Sequence, residues 1–133
     1  MKDGEFVIEN NVLVKYNGNS EKVIIPQGVI HLSKDAFDES IVKHLIIPES
    51  LEGFDDDLFT LCDELEHIEV EDKNAYFASQ NGILFNKDYS VLYAYPQAKE
   101  GKEYFIPKSV KKVCSNAFYY NQNIENIYIR ECI

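Results

Sequence analysis

The sequence predicts a β-rich repeat solenoid, and three observations predict it. An Ile-Pro step recurs at Ile25-Pro26, Ile47-Pro48 and Ile106-Pro107, and a Phe follows eleven residues after each Pro, at Phe37, Phe59 and Phe118. Between Pro and Phe lies an apolar pair three apart: Val29 and Leu32, Leu51 and Phe54, Val110 and Val113. About nine residues past each Phe a β-type alternation returns, as Leu45/Ile47, Ile68/Val70 and Ile127/Ile129. Self-similarity at about two dozen residues is the mark of a stacked architecture, in which each unit buries its apolar face against the next.

Residues 5–25 read as a β-meander cap. Phe6-Val7-Ile8 and Val12-Leu13-Val14 flank the turn Asn10-Asn11, because Asn tolerates positive φ. Asn17-Gly18-Asn19 turns the chain again before Val23-Ile24-Ile25. Without such a cap the first repeat would expose apolar side chains and unpaired backbone. Residues 26–70 hold two repeats. Pro26 ends a strand by removing a donor, Gly28 allows the bend, and Val29 and Leu32 point inward. Phe37, Phe59 and Phe118 are expected as buried corner plugs. Cys62 and Asn121, each three residues after such a Phe, are placed to satisfy backbone groups at the corner.

Residues 71–104 interrupt the repeat with a hairpin of their own. Asn81-Gly82 is the strongest short turn signal. Ile83-Leu84-Phe85, the turn Asn86-Lys87-Asp88 and Val91-Leu92-Tyr93 follow, and Asn81 to Phe85 echoes Asn10 to Val14. Residues 105–129 are the last repeat, with no evident cap after it. The whole of 1–133 reads as one domain.

Composition narrows the function. The 133 residues are 45% apolar, ordinary for a globular chain, with a net charge of −10. That charge disfavours binding nucleic acid by phosphate neutralisation. Eleven acids and no Lys or Arg lie between Glu49 and Asp72, around Asp55, Asp56 and Asp57. This stretch reads either as a solvated flank or as a docking surface for a basic partner. The sequence as written has no signal-peptide core and no run approaching the ~20 apolar residues of a membrane helix. A cytoplasmic chain is expected, or one whose leader was removed. Cys62, Cys114 and Cys132 form no close pair, so free thiols are expected, with neither a disulfide nor a Cys-based zinc site.

Catalytic signals are lacking. No Gly-rich phosphate loop, nucleophile elbow or HExxH is present. His44 and His67 hold matching places in successive repeats and are expected to stack, but two His without a third ligand seldom hold zinc. Asp55-Asp56-Asp57 lacks the alternating spacing of a calcium loop. The expectation is a non-enzyme with no cofactor and no metal.

The repeat can be read in full from Ile106-Pro107 through Val110-Lys111-Lys112-Val113, Ala117-Phe118 and Asn121 to Ile124, Ile127 and Ile129. It resembles the BspA-type leucine-rich repeats of bacteria, as do Asn81 to Pro96 and Asn10 to Gly18. The resemblance implies a short leucine-rich-repeat stack with an N-terminal β-meander cap and an inserted β-hairpin. It implies a protein–protein interaction module, adhesin-like, at the cell surface or secreted.

Side chains alternate across a strand. If Val23/Ile25 and their counterparts face the core, then Ile24, Ile46, Glu69, Phe105 and Tyr128 face outward on strands about 5 Å apart. Such an apolar ladder is either a contact surface or the ground on which the meander or hairpin folds. The expected function is protein binding through this ladder, with a homodimer possible through the C-terminal edge. The alternative is an acidic inhibitor or decoy that occupies a basic site on a nucleic-acid-handling protein.

Overall fold

The computed structural model describes residues 5–118 and 121–129. The chain is a β-solenoid of about five turns, nearly all sheet. The N-terminal meander opens with the antiparallel hairpin of β1 (Phe6–Glu9) and β2 (Val12–Tyr16). Its turn places Asn10 at φ 52° and Asn11 at φ 65°, left-handed values that Asn accepts more readily than most residues. The third strand, β3 (Lys22–Ile24), passes to a second face of the stack.

From there each repeat contributes a strand to each face. β4 (His31–Leu32) and β6 (Gly53–Phe54) continue the hairpin's sheet in the order β1-β2-β4-β6. β5 (His44–Ile47) and β7 (His67–Val70) join β3 in a three-stranded parallel sheet, β3-β5-β7. The prolines shape the bend between faces. The carbonyls of Pro26, Pro48 and Pro107 accept from the amides of Val29, Leu51 and Val110, at 3.4, 3.2 and 3.1 Å, so one turn recurs in three repeats.

The insertion builds β8 (Phe77–Gln80), β9 (Ile83–Asn86) and β10 (Val91–Ala94) as an antiparallel set. The last repeat adds β11 (Glu103–Ile106), β12 (Lys112–Val113) and β13 (Asn126–Ile129). β12 extends the insertion's sheet to β12-β10-β9-β8, while β11 and β13 pair in parallel by themselves. The likeness of insertion to cap extends to its docking. Tyr16 N–H donates to Ala36 O, and Tyr95 N–H donates to Ala117 O, both at 2.8 Å. The Tyr16 ring lies 6.0 Å from Phe37, and the Tyr95 ring 5.2 Å from Phe118.

The core divides accordingly. One cluster runs from Leu13 and Val23 through Phe37, Leu45 and Leu51 to Ile68 and Phe77. A second gathers Ile83, Phe85, Leu92, Tyr95 and Ala117. Phe37 is fully buried, as expected, but Phe59 and Phe118 are only half-buried. In the middle repeat the 3₁₀ turn Leu58–Leu61 turns Leu58 inward instead. Phe59 is thereby left edge-on to Phe54, at 5.2 Å. Phe118 lies at the far end of the stack, flanked by Tyr95 and Tyr104.

One further expectation needs correction, again because position in the stack decides burial. Ile127 and Ile129 are exposed rather than buried, because among the described residues no strand lies beyond β13 to cover them. Val113 is also exposed, on a two-residue strand at the edge of its sheet.

The corner register holds more widely than expected. Ser40 Oγ accepts from Val42 N–H at 3.1 Å, Cys62 Sγ donates to Leu58 O at 3.5 Å, and Asn121 Nδ2 donates to Pro96 O at 2.9 Å. Cys62 and Cys114 are both free, and Cys132 lies outside the described residues. Burial pushes the Cys62 thiol from its usual 9.0 up to about 12, with Asp63 adding to the rise. The unfolded chain therefore loses this proton first. Stability from Cys62 is fully present below pH 9.0 and declines as pH rises toward about 12. Tyr104 is pushed the same way by burial, also to about 12. Comparing urea midpoints of wild type and Cys62→Ala from pH 8 to 11 isolates the thiol. The gap between the two proteins should narrow as pH rises; a constant gap would show that Cys62 titrates alike in both states. A disulfide-exchange reagent should reach Cys62 only on unfolding.

Candidate functional site

The predicted ladder is present in two pieces. In the three-stranded sheet, Ile24 pairs with Ile46 and Ile46 with Glu69, in register across β3, β5 and β7. On the two-stranded sheet Phe105 pairs with Tyr128. Val23, Leu45 and Ile68 are buried on the opposite side, so alternation puts the ladder residues outward. Ile24 is 59% exposed, Phe105 47% and Tyr128 41%, whereas Ile46 is half-buried between its neighbours. The Phe105 and Tyr128 rings stack at 4.7 Å with an interplanar angle of 19°, a preformed aromatic pair.

The ladder is not continuous from Glu69 to Phe105, because the insertion enters there. Ile68 N–H donates to Gly82 O at 2.9 Å, and Val70 N–H to Ser79 Oγ at 3.0 Å. The Asn81-Gly82 turn thus takes the place of a fourth parallel strand. Gly82 has φ +80°, and a Cβ there would lie 2.6 Å from His67 Nδ1, so the turn needs glycine on both counts.

Beside the apolar row runs a polar one. His44 pairs with His67 across β5 and β7, and their rings stack at 5.6 Å with an interplanar angle of 26°, as the repeat register predicts. Each ring has a carboxylate in reach: His44 Nε2 lies 4.0 Å from Glu66 Oε1, and His67 Nε2 lies 4.0 Å from Glu69 Oε1. Among the described residues no three His, Cys, Asp or Glu side chains converge as metal ligands would.

The acidic stretch is partly structural. Asp55 accepts from His31 Nε2 at 2.8 Å and from Lys34 N–H at 3.0 Å. The His31 bond is the main cause that holds its carboxyl below the usual range. Its contribution is therefore present at neutral pH and fades as pH falls. Glu71 accepts from Gln27 Nε2 and Glu49 N–H, both at 2.8 Å, bridging repeats through one carboxylate. Asp56 and Asp57 remain exposed, the latter 3.3 Å from Asn116 Nδ2.

Two features were not read from the sequence. Asn74 is fully buried and tied by four hydrogen bonds between the second repeat and β8. A groove of about 560 Å³ also opens between β6 and residues 112–116, over Phe54, Phe59, Phe77 and Tyr93. Phe54 and Phe77 stack at 5.7 Å, one repeat apart, and that spacing was the available signal.

The comparisons agree with this architecture. The model of the BspA type leucine rich repeat region matches in 6 copies, over residues 7–87 and 91–133. A leucine-rich repeat protein from Eubacterium ventriosum ATCC 27560 superposes with a TM-score of 0.76 at 31% identity, covering 84% of this chain and 30% of that one. The pneumococcal vaccine antigen PcpA gives a TM-score of 0.76 at 29% identity, covering 88% and 30%. A leucine rich cell surface protein from Faecalibacterium prausnitzii A2-165, 16% identical with a TM-score of 0.59 over 81% and 41%, shares the fold. The chain thus spans 30% of the length of the first two structures. No curated protein matches it. With both parts of the chain matched, and with its repeats stacked in register, the chain belongs to the BspA-type leucine-rich repeat family of bacteria.

Proposed function

We propose that this chain is a non-enzymatic protein-binding module, adhesin-like, whose contact face is the outward row Ile24, Ile46 and Glu69 with the aromatic pair Phe105 and Tyr128. The observation that carries the reading is that pair: two large rings stacked in advance and open to solvent, on a two-stranded sheet whose β11 is anchored in the core through Ile106. Rigid aromatics contribute disproportionately to interfaces because little side-chain entropy is lost when they bind. The family and the bacterial relatives, PcpA among them, support an interaction role. Among the described residues no strand pairs with the outer edge of β13, where Ile129 is 76% exposed, and this edge would give a second copy or a further repeat a place to pair.

The test is Phe105→Ser combined with Tyr128→Ser, checked for unchanged folding by circular dichroism. Loss of two anchors should cost about 2 kcal/mol or more of binding free energy, roughly thirtyfold in affinity. Sedimentation equilibrium reports self-association, and capture from a bacterial lysate identifies partners for the same comparison. Survival of both activities would remove the ladder as the interface. It would leave the acidic surface at Asp55, Asp56 and Asp57, and the decoy reading, in its place. Salt separates these readings as well: a decoy weakens steeply as charge is screened, and an apolar face does not.

A further inference from the structure

The groove beside β6 lies on the face away from the ladder, and three observations give it a specific occupant. First, it follows an unfinished sheet. β6 ends the order β1-β2-β4-β6, and among the described residues no strand pair joins it to the insertion's sheet. Gly53 N–H and Asp55 N–H donate inward to Ile30 O and Leu32 O, at 3.1 and 2.9 Å. Phe54, between them, therefore directs its own N–H and C=O away from β4, toward the groove.

Second, the floor is aromatic. Phe54, Phe59, Phe77 and Tyr93 meet with ring centroids 5.2 to 5.7 Å apart, and Val113 adds an exposed aliphatic surface. Burial raises the pKa of the Tyr93 hydroxyl, consistent with a recessed site. Third, the charges are unequal. Glu52 and Asp56 are exposed on the β6 side of the groove, and Lys112 lies across from them. The whole chain carries −10.

We propose that this groove binds an extended peptide from a partner protein, added as a strand to the free edge of β6. Its side chains would alternate between apolar residues on the aromatic floor and basic residues toward Glu52 and Asp56. Main-chain bonds to Phe54 supply the direction, and the floor and the carboxylates supply the selectivity. The β6 edge is short, so the aromatic floor carries most of the affinity. A lysine-rich edge would repel such a strand; β6, as Gly53-Phe54 beside Glu52, does not.

The probe is a synthetic peptide of alternating Val or Phe and Lys, fluorescently labelled and titrated into the intact chain at moderate salt. Three comparisons accompany it: the same peptide N-methylated at alternate amides, a Glu-for-Lys version, and the protein with Glu52→Lys and Asp56→Lys. Saturable binding is expected, with amide shifts in nitrogen–proton spectra centred on Gly53, Phe54 and Tyr93. N-methylation and the charge-reversed protein should each weaken binding about tenfold or more. The Glu peptide should not bind. The Phe105→Ser, Tyr128→Ser protein should bind as wild type does, which separates this site from the ladder. Equal binding of the N-methylated peptide would overturn strand addition. Shifts elsewhere, or occupancy by a second copy seen as protein-concentration-dependent shifts at Phe54 without peptide, would overturn the proposal.

Discussion

Phe37→Ala is expected to destabilise the fold by about 3–5 kcal/mol, the usual cost of truncating a fully buried large aromatic. Phe37 has no exposed surface and packs against Tyr16, the residue that docks the N-terminal hairpin onto the first repeat. Removing the ring opens a cavity at that joint and loosens the hairpin together with the corner. Against a total of about 5–15 kcal/mol for a typical domain, the loss is large. The melting temperature should fall by about 10 °C or more. The informative control is Phe118→Ala, the same substitution at the same place in a later repeat. Phe118 is half-buried, so it should cost clearly less. Equal losses at both positions would mean that repeat register alone sets the cost, whatever the burial. A shift of a degree or two at Phe37 would mean that the corner relaxes to fill the space.

The repeat was legible because its signals are local and recur. An Ile-Pro step, an apolar pair and a strand can be recognised in one sequence, since each copy corroborates the others. Both Asn-led turns were legible for a similar reason: the φ they need is written in the residue type, and Asn81 at φ 55° repeats what Asn10 and Asn11 do. Depth of burial was less legible. Phe37, Phe59 and Phe118 occupy equivalent places, but position in the stack and a local 3₁₀ turn decide which ring is covered. Neither is visible in a repeat pattern. Ile127 and Ile129 illustrate the same limit, because alternation fixes the side of a sheet and not what lies over it.

The candidate contact face was half legible. Alternation along each strand identified Ile24, Ile46, Glu69, Phe105 and Tyr128 as outward residues. Continuity between Glu69 and Phe105 could not be read, because it depends on where the insertion docks. The hydrogen bond from Ile68 to Gly82 is a contact between a repeat and an insertion, and neither has the other's period. The groove over Phe54 arises from the same event: among the described residues, the insertion brings no next strand to β6. One insertion thus divides the ladder on one face and opens a groove on the other.

Asn74→Ala is the second large effect, expected at about 3 kcal/mol or more. The side chain is fully buried, and both of its ends are used. Nδ2 donates to Pro48 O at 2.9 Å and Leu51 O at 3.0 Å, while Oδ1 accepts from Tyr76 N–H and Phe77 N–H, both at 2.8 Å. Alanine would leave those four backbone groups without this partner, and each that stays dry costs about 1–3 kcal/mol. Asn74→Asp should be no better at neutral pH. Carboxylate oxygens would then face the carbonyls of Pro48 and Leu51, and a charge would be buried without a cation. Such an Asp has its folded pKa raised, so the variant should lose stability as pH rises through the ordinary carboxylate range and regain some below it. Urea melts of the three proteins at pH 4 and pH 7 read both effects. The same substitutions release Phe77 from its anchor, and Phe77 stacks on Phe54 in the groove floor. The amide signals of Phe54 and Tyr93 should therefore broaden or shift in Asn74→Ala under conditions where the protein remains folded. A loss below about 1 kcal/mol, within the range of ordinary substitutions, would show that water replaces the amide at this joint.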